Sequence, residues 1–400
     1  MDIFGLAMTF VPMPKILFIS HDATRTGAPI VFLHQLKWLR ENKNIEMCFL
    51  LLDGGPLIPD FEALGRTWLW KVSSPPPTFS QRVINRATRL FKKTPSHRDI
   101  VLKELDSGQF DMVYSNTVAS HEVGMLLKKR WNKPWISHVH EMPFSIRSFY
   151  ANSLRPEVMD GIDRMISVSK SCKRLLQENF DLKNTLVDLV YECVPTSEMK
   201  KPLRTREEVR LSWGLKNEFI VGGSGVMSWR KGIDLFIEIS RIIQNSSASQ
   251  EIRFVWVGAI KKDVVEGYRY ECMQLGIAPS IIFTDATSDP ASYFQAFDAF
   301  ALTSREDPFP LVALEAAALK KPIICFENSG GIPELIEHQG GTVVPYLDIK
   351  SFADQIIKWA SDRNSASTIG ESAYQEVQRY DVKNVAPQVL EIISSVLQKK

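Results

Sequence analysis

Short apolar runs alternate with longer amphipathic stretches along nearly the whole chain, and no other feature constrains the fold as strongly. KILFIS at residues 15–20 and PIICF at residues 322–326 are too short for buried helices but suit buried strands. Neighbouring parallel strands need a crossover connection, which is usually a helix. The alternation therefore predicts an α/β fold with doubly wound parallel sheets.

The alternation occurs twice, and its two halves meet at the polar, charged segment TSEMKKPLRTREEVR, residues 196–210. We place the boundary near residues 195–201 and predict one domain over residues 15–197 and a second over residues 198–381. Residues 1–14 form a predicted N-terminal extension, and residues 382–400 a C-terminal helix, apolar at Val385, Val389 and Ile393. The predicted strands of the first half are residues 15–20, 46–52, 68–72, 112–115, 135–140 and 164–167. Those of the second half are residues 219–223, 253–257, 281–283, 299–302, 322–326 and 341–344.

The segment TSREDPFPLVALEAAALKKPIICFENSGGIPE, residues 303–334, combines several features of an anion site. Asp307 and Glu315 stand eight positions apart across the start of a predicted helix. Proline suits the first helical position because its missing N–H needs no partner there, so the helix begins at Pro308 or Pro310. The amides of the first turn then face an anion, which the helix dipole also favours. A phosphorylated ligand with a polyhydroxyl group fits this pattern.

The same segment resembles the C-terminal signature of the retaining, nucleotide-sugar-dependent glycosyltransferases of family 4, E-P-F-G-L-x-x-x-E-A followed by a strand and G-G-x-P-E. The resemblance implies the GT-B fold, two Rossmann-like domains that face each other across a cleft, with acceptors in the N-terminal domain and the nucleotide sugar in the C-terminal one. The last helix commonly crosses back to the N-terminal domain. The resemblance places Asp307 against the donor sugar and Glu315 against the ribose. Around the donor it also places Phe309, Pro310, Leu311, Val312, Gly330 and Gly331.

Two positions depart from that signature. Asp307 is one methylene shorter than the family's glutamate, although Glu306 stands beside it. Pro310 occupies the usual glycine position, so one backbone donor is missing there.

The loop SGVMSWRKG, residues 224–232, follows the first predicted strand of the second half and resembles the family's G-R-L-x-x-x-K-G element. Lys231 matches the lysine that neutralises the nucleotide diphosphate, whereas Val226 replaces the usual arginine. Arg230 is a candidate substitute, because a guanidinium can grip a phosphate bidentately.

The first half carries weaker signals. The loop HDATRTGAP resembles the family's N-terminal Gly-Gly-Ala loop through Gly27 and Ala28, with Thr26 in place of the first glycine. His140 follows a predicted strand where the family often has a histidine close to the donor sugar's hydroxymethyl group. His138 and His140 share one strand face, so a metal pair and a purely structural histidine stay open beside the donor-site role. No third ligand is apparent at suitable spacing.

Composition adds limited information about partners. The stretch from Arg82 to Arg98 carries six cations and no acid, and fits either a solvated helix or a basic surface that meets anionic lipid or a lipid-diphosphate acceptor. No nucleic-acid motif accompanies it.

No run approaches the ~20 apolar residues of a membrane span. Five scattered cysteines without a C-x-x-C pair indicate a reducing compartment, and we expect the cytoplasm or the inner face of its membrane.

The resemblance thus implies a retaining, metal-independent glycosyltransferase that uses a nucleotide-sugar co-substrate, a UDP- or GDP-sugar, and no cofactor. The acceptor is expected to be a sugar or a lipid-linked molecule in polysaccharide or glycolipid synthesis. Two alternatives stay open. A non-hydrolysing nucleotide-sugar 2-epimerase shares the architecture, although SREDPFPLVALEA argues against it, and a degenerate transferase would bind the nucleotide sugar without turnover.

Overall fold

Two parallel β-sheets form the framework of the computed structural model, which describes residues 13–71, 95–182, 185–199, 201–248, 251–259, 262–336 and 339–398. The first sheet has seven strands in the order β3-β2-β1-β4-β5-β6-β7. The second has six in the order β10-β9-β8-β11-β12-β13. Helices connect the strands, and the apolar strand faces are buried, as the sequence alternation predicts.

The strand bounds confirm the predicted pattern to within a few residues. The first sheet contains β1 (Lys15–Ser20), β2 (Glu46–Leu51), β3 (Arg66–Leu69), β4 (Met112–Asn116), β5 (Trp135–Val139), β6 (Arg164–Ser167) and β7 (Val187–Leu189). The second contains β8 (Phe219–Ser224), β9 (Ile252–Ala259), β10 (Ile281–Asp285), β11 (Ala299–Leu302), β12 (Ile323–Phe326) and β13 (Gly341–Val344). Strand β7 was not predicted, because an edge strand of three residues with Asp188 at its centre has no apolar pattern.

The helices mostly follow the strands in alternation. They are α1 (Gly27–Asn42), α2 (Ile58–Leu64), α3 (His97–Asp106), α4 (His121–Trp131), α5 (Pro143–Phe149), α6 (Pro156–Met159), α7 (Lys170–Asn179), α8 (Arg206–Ser212), α9 (Ile233–Gln244), α10 (Lys262–Gln274), α11 (Pro290–Gln295), α12 (Leu311–Ala318), α13 (Ile332–Ile336), α14 (Ile349–Ser361), α15 (Arg363–Val377) and α16 (Val382–Leu397). Capping residues in the sequence mark the start of several of these helices. Thr205 forms a capping box with Glu208 at the start of α8, which satisfies two backbone donors.

Each sheet has one point where the strand order reverses, between β1 and β4 in the first and between β8 and β11 in the second. In open α/β sheets, ligands bind outside the carboxyl ends of the strands at such switch points. The chain segments after β1, β4, β8 and β11 are therefore where a functional site belongs.

Helix α16 packs against α1 of the first domain. Its apolar residues Val385, Val389 and Ile393 are buried in the same core cluster as residues of α1. Backbone bonds fix the start of the crossing, because Val194 N donates to Tyr380 O at 3.1 Å and Val382 N donates to Val194 O at 3.2 Å.

Most of the basic stretch lies in residues 72–94, outside the described residues, so its proposed contact with anionic lipid stays a prediction. Arg98, at its end, is described, and its guanidinium lies 5.5 Å from the centre of the Trp70 ring. Within the described ranges, no helix has both the length and the apolar character needed to cross a membrane.

Candidate active site

A cleft of about 480 Å³ lies between the two sheets' carboxyl ends, and both halves of the chain line it. The first half contributes the segments after β1, β4 and β5. The second half contributes the segments after β8, β9, β10 and β11. The structure thus brings both switch points to one cavity.

The segments after β8 and β11 join a buried carboxylate to two cations. Lys231 Nζ lies 2.5 Å from Asp307 Oδ2, and Arg230 Nη1 lies 3.4 Å from Asp307 Oδ1. Ser304 Oγ donates to Asp307 Oδ2 at 3.0 Å. Burial by itself raises the pKa of Asp307, but the charges of Lys231 and Arg230 outweigh it and hold that pKa below its usual range. The Asp307 carboxylate is therefore ionised at neutral pH. Burial lowers the pKa of the Lys231 ammonium, and the charge of Asp307 opposes that shift.

Gly232 places Lys231 at this position. It adopts φ 67°, and a Cβ there would lie 2.0 Å from the carbonyl oxygen of Thr303, so only glycine fits. Arg230 is held from the other side, because its Nη1 donates to the carbonyl oxygen of Glu306 at 2.8 Å.

Helix α12 directs its N-terminus at the cleft. The helix begins at Leu311, one residue after the predicted start at Pro310, which is the N-cap residue, and Leu311 and Val312 line the cleft. The first amides of a helix have no intrahelical partner and are available to an anion.

Glu315 lies one turn further along α12, and its side chain also lines the cleft. The residue is 9% exposed, and its carboxyl forms no hydrogen bond with any group of the described ranges. Burial alone raises its pKa to about 8. Burying a carboxyl without partners costs free energy in the ligand-free fold.

Gly330 and Gly331 hold Asp307 from behind and are not among the residues that line the described cleft. A Cβ on Gly330, at φ 138°, would lie 1.6 Å from the carbonyl oxygen of Asp307. Asp307 N donates to Ser329 O at 2.7 Å, and Gly331 N donates to Asp307 O at 3.3 Å. The Gly331 amide is thus already bonded within the structure, and a donor-binding role for this pair stays a prediction.

Phe309 borders the cleft, but its ring packs into the contact between the domains. It is fully buried, with ring centres 5.0 Å from Tyr191 and 5.1 Å from Tyr380.

The first half supplies Gly27 and His140 to the opposite wall. No atom lies within 4 Å of a Cβ built on Gly27, so this glycine is open to the cleft and not forced by packing. His140 Nδ1 lies 3.1 Å from Glu192 Oε1, while His140 Nε2 is buried without a partner in the described structure.

His138 has a structural role at its Nδ1, 2.8 Å from the buried Tyr114 hydroxyl. Burial lowers its pKa well below the usual value, so the ring is neutral. The centres of the two histidine rings lie 4.2 Å apart with the rings tilted by 39°, yet no group of three potential metal-ligating side chains occurs in the described parts of the chain.

Several residues near the cleft make contacts that the sequence did not predict. Glu306 accepts from Phe144 N at 2.9 Å and Ser145 N at 3.3 Å, at the start of α5 in the other domain. Glu334 accepts from Ser171 N at 2.8 Å, at the start of α7, and from the Tyr191 hydroxyl at 2.7 Å. Each carboxylate satisfies a helix N-terminus across the domain boundary. Their partners are more than 140 residues away, so no local pattern could reveal them.

Glu141, next to His140, is another such residue. Its carboxyl accepts from Val118 N at 3.2 Å and from His140 N at 3.0 Å. Burial raises its pKa to about 7. It orders the loops after β4 and β5 together.

Comparison with known proteins identifies relatives of both halves. The chain matches the family described as Glycosyltransferase Family 4 over residues 29–198 and the family described as Glycosyl transferases group 1 over residues 205–376. It is 23% identical over 310 residues to D-inositol 3-phosphate glycosyltransferase of Corynebacterium urealyticum, covering 72% of each chain. It is 24% identical over 218 residues to the capsular polysaccharide biosynthesis glycosyltransferase CapM of Staphylococcus aureus, covering 54% of this chain and 56% of CapM.

Solved structures share the fold. The crystal structure of Anabaena Alr3699/HepE in complex with UDP and glucose superposes with a TM-score of 0.77 at 21% identity, covering 96% of this chain and 100% of that one. Sucrose-phosphate synthase from Thermosynechococcus elongatus superposes with a TM-score of 0.73 at 19% identity, covering 97% and 100%. The predicted GT-B fold is confirmed.

Proposed function

Because this chain belongs to glycosyltransferase family 4 of the glycosyl transferases group 1, we propose that it is a retaining, metal-independent transferase. It moves a sugar from a nucleoside-diphosphate donor, a UDP- or GDP-sugar, to a hydroxyl of a sugar or lipid-linked acceptor. The activity serves polysaccharide or glycolipid synthesis, a role that the name of the relative CapM supports.

The observation that carries this proposal is the composition of one cleft wall. Lys231 and Arg230, the N-terminus of α12 and the unpaired carboxyl of Glu315 all border the same cavity. Cations and helix amides suit a diphosphate, and a buried carboxyl suits vicinal hydroxyls such as those of a ribose. A nucleoside diphosphate satisfies all of these groups at once.

We assign the donor-side roles from this arrangement and the family signature. Lys231 and Arg230 bind the diphosphate together with the amides of Leu311 and Val312. Glu315 binds the ribose, and Asp307 lies against the donor sugar while keeping Lys231 charged.

On the opposite wall, Gly27 and His140 approach the transferred sugar. Donor-binding roles for Phe309, Gly330 and Gly331 are indirect, since these residues hold Asp307 and the domain contact in place. No cofactor takes part in this scheme.

The proposed reaction proceeds by front-face displacement. The bond between the sugar's anomeric carbon and the donor phosphate oxygen breaks, and a bond to the acceptor oxygen forms on the same face. The acceptor proton passes to the departing phosphate oxygen. Lys231, Arg230 and the α12 amides stabilise the negative charge that develops on the leaving diphosphate.

The test begins with the purified chain, EDTA and UDP-, GDP-, ADP- and dTDP-sugars, measuring thermal shift and nucleotide release. One donor is expected to raise the melting temperature and slowly release its nucleotide. Acceptor-free conversion of the donor sugar to its epimer would instead establish the isomerase alternative. Binding without release on a broad acceptor panel would establish a non-catalytic binding protein.

Variants then test the assigned residues. Lys231→Ala is expected to abolish turnover, and Glu315→Ala to weaken nucleotide binding. Lys350→Ala is the matched control, because Lys350 pairs with Asp354 at 2.7 Å on an exposed face away from the cleft. Wild-type activity in both cleft variants would refute the assignment.

A further inference from the structure

Glu192 brings a buried carboxylate into the cleft from the segment that joins the two domains. It follows β7, is 6% exposed and lines the cleft. Among the described residues, its carboxyl forms a hydrogen bond with His140, whose Nδ1 lies 3.1 Å from Glu192 Oε1. Burying a carboxylate is costly unless a partner compensates it. His140 is therefore the group that compensates Glu192 in this structure.

The contact with Glu192 determines which nitrogen of His140 is left for a ligand. A carboxylate only accepts hydrogen bonds, so the facing nitrogen, Nδ1, carries a proton whether the imidazole is neutral or charged. His140 Nε2 is buried and has no partner in the described structure, although the residue lines the cleft. Glu192 thus occupies one ring nitrogen of His140 and leaves the other available.

Further contacts restrict the backbone and the ring of His140. Its backbone N–H donates to Glu141 Oε2 at 3.0 Å. The centre of its ring lies 4.2 Å from that of His138, and Nδ1 of His138 lies 2.8 Å from the Tyr114 hydroxyl. These contacts limit where the ring can lie, and the hydrogen bond with Glu192 sets how it is turned about its own axis.

The segment that carries Glu192 is itself held on both sides. The Tyr191 hydroxyl donates to Glu334 Oε2 at 2.7 Å, and Val194 N donates to Tyr380 O at 3.1 Å. Both acceptors come from the second half of the chain. A residue that orients a functional side chain has to be held in place by its own surroundings. Glu192 meets this condition through the contact between the domains.

Resting on the proposed function, in which His140 approaches the transferred sugar, we propose that Glu192 is a positioning residue of the reaction. It holds Nδ1 of His140 so that Nε2 meets the transferred sugar, and it acts on that sugar through His140 alone. A carboxylate that contacted the ligand directly would act without His140, and this difference can be measured.

A double-mutant cycle tests the proposal, because two groups that act as one unit have non-additive effects. The wild type, Glu192→Ala, His140→Ala and the double variant are compared with the donor that thermal shift identifies, and the rate of nucleotide release is measured. We expect Glu192→Ala to lower kcat about 10- to 100-fold, as for a lost hydrogen bond to a charged group. The double variant should be no slower than His140→Ala.

Binding of the nucleoside diphosphate alone separates this role from a general disturbance of the cleft. The proposed diphosphate and ribose contacts lie on the other wall, at Lys231, Arg230 and Glu315. Glu192→Ala should therefore not lower the affinity for the nucleoside diphosphate. Glu266→Ala is the matched control for both measurements, because Glu266 pairs with Arg269 at 2.8 Å on the exposed face of α10.

Glu192→Gln has the size of the wild-type residue and an amide oxygen that accepts from Nδ1 of His140. It should lose less activity than Glu192→Ala, as orientation without charge predicts. If Glu192→Ala does not fold, Glu192→Gln and its double variant with His140→Ala complete the cycle.

Four results would overturn the role of Glu192. They are multiplying losses of kcat in the double variant, a matching loss of nucleoside diphosphate affinity, a loss in Glu192→Gln as large as in Glu192→Ala, and wild-type release in His140→Ala. If no donor binds the wild type, the proposed function fails and this inference falls with it. Donor binding and nucleotide release in the wild type, with any of the four results in the variants, refutes the role of Glu192 alone.

Discussion

Removing the Lys231 ammonium is expected to destabilise the fold in a pH-dependent way, apart from any effect on catalysis. Lys231→Ala leaves the Asp307 carboxylate without its 2.5 Å partner. The Asp307 side chain is 6% exposed, so water cannot replace the lost charge. Arg230 stays 3.4 Å away and compensates only in part.

The expected loss of stability in Lys231→Ala follows from the free-energy cost of breaking a buried ion pair. Removing one partner of a buried ion pair typically costs about 3–5 kcal/mol. At about 2–4 °C per kcal/mol for a domain of this class, the melting temperature should fall by roughly 6–20 °C. An exposed pair would cost about 0–1 kcal/mol.

The pH dependence has a definite sign. In the wild type the pKa of Asp307 is lowered, so its stabilising contribution is present at neutral pH and is lost as pH falls through that pKa. In Lys231→Ala, Arg230 offsets the burial of Asp307 only in part, so the pKa of Asp307 rises and the charged carboxylate destabilises the fold at neutral pH. Protonation in acid relieves that cost, and the difference between variant and wild type should shrink from pH 7 toward pH 4.

Thermal unfolding of both proteins across pH 4–8 without ligand provides the measurement. A double variant, Lys231→Met with Asp307→Asn, should be more stable than Lys231→Ala, because it leaves no unpaired charge. A loss below about 1 kcal/mol with no pH dependence would show that the pair behaves as a solvated one, and would refute the reasoning.

Three further outcomes follow from the same structure. Glu315→Gln removes a carboxyl whose pKa burial raises to about 8. The variant should weaken nucleotide binding but stabilise the ligand-free fold, increasingly from about pH 4.5 to pH 8 and by roughly 3–5 kcal/mol at pH 8. Equal melting temperatures of variant and wild type at pH 8 would contradict this. Glu334→Ala removes the hydrogen bonds at the start of α7, which contribute about 1.5–3 kcal/mol to the contact between the domains, and Glu306→Ala removes those at the start of α5. Each variant should increase the radius of gyration in small-angle scattering. Unchanged scattering in the double variant would show that these carboxylates do not hold the two domains together. Gly330→Ala places a Cβ 1.6 Å from Asp307 O, so the melting temperature and the donor affinity should both fall. A soluble variant with the melting temperature and donor affinity of the wild type would disprove tight packing at Gly330.

The fold and much of the donor-side wall could be predicted from local pattern. Strand periodicity, the proline at Pro310 and the spacing of Asp307 and Glu315 are properties of short segments, and in an α/β fold such segments end on one edge of a sheet. Lys231 was identified through its resemblance to the family's G-R-L-x-x-x-K-G element, in the loop after a predicted strand. Sequence analysis did not predict the short strand β7 or the packing role of Gly330 and Gly331, because both depend on neighbours from distant parts of the chain.

The sequence by itself determined the two-domain parallel architecture and the cationic half of the cleft. Only the tertiary structure decided the opposite half. Glu192 reaches His140 across 52 positions, and Glu306 reaches Phe144 across 162. Local periodicity determines which segments become strands and helices. Burial, pairing and strain depend instead on which of these segments meet in the folded chain.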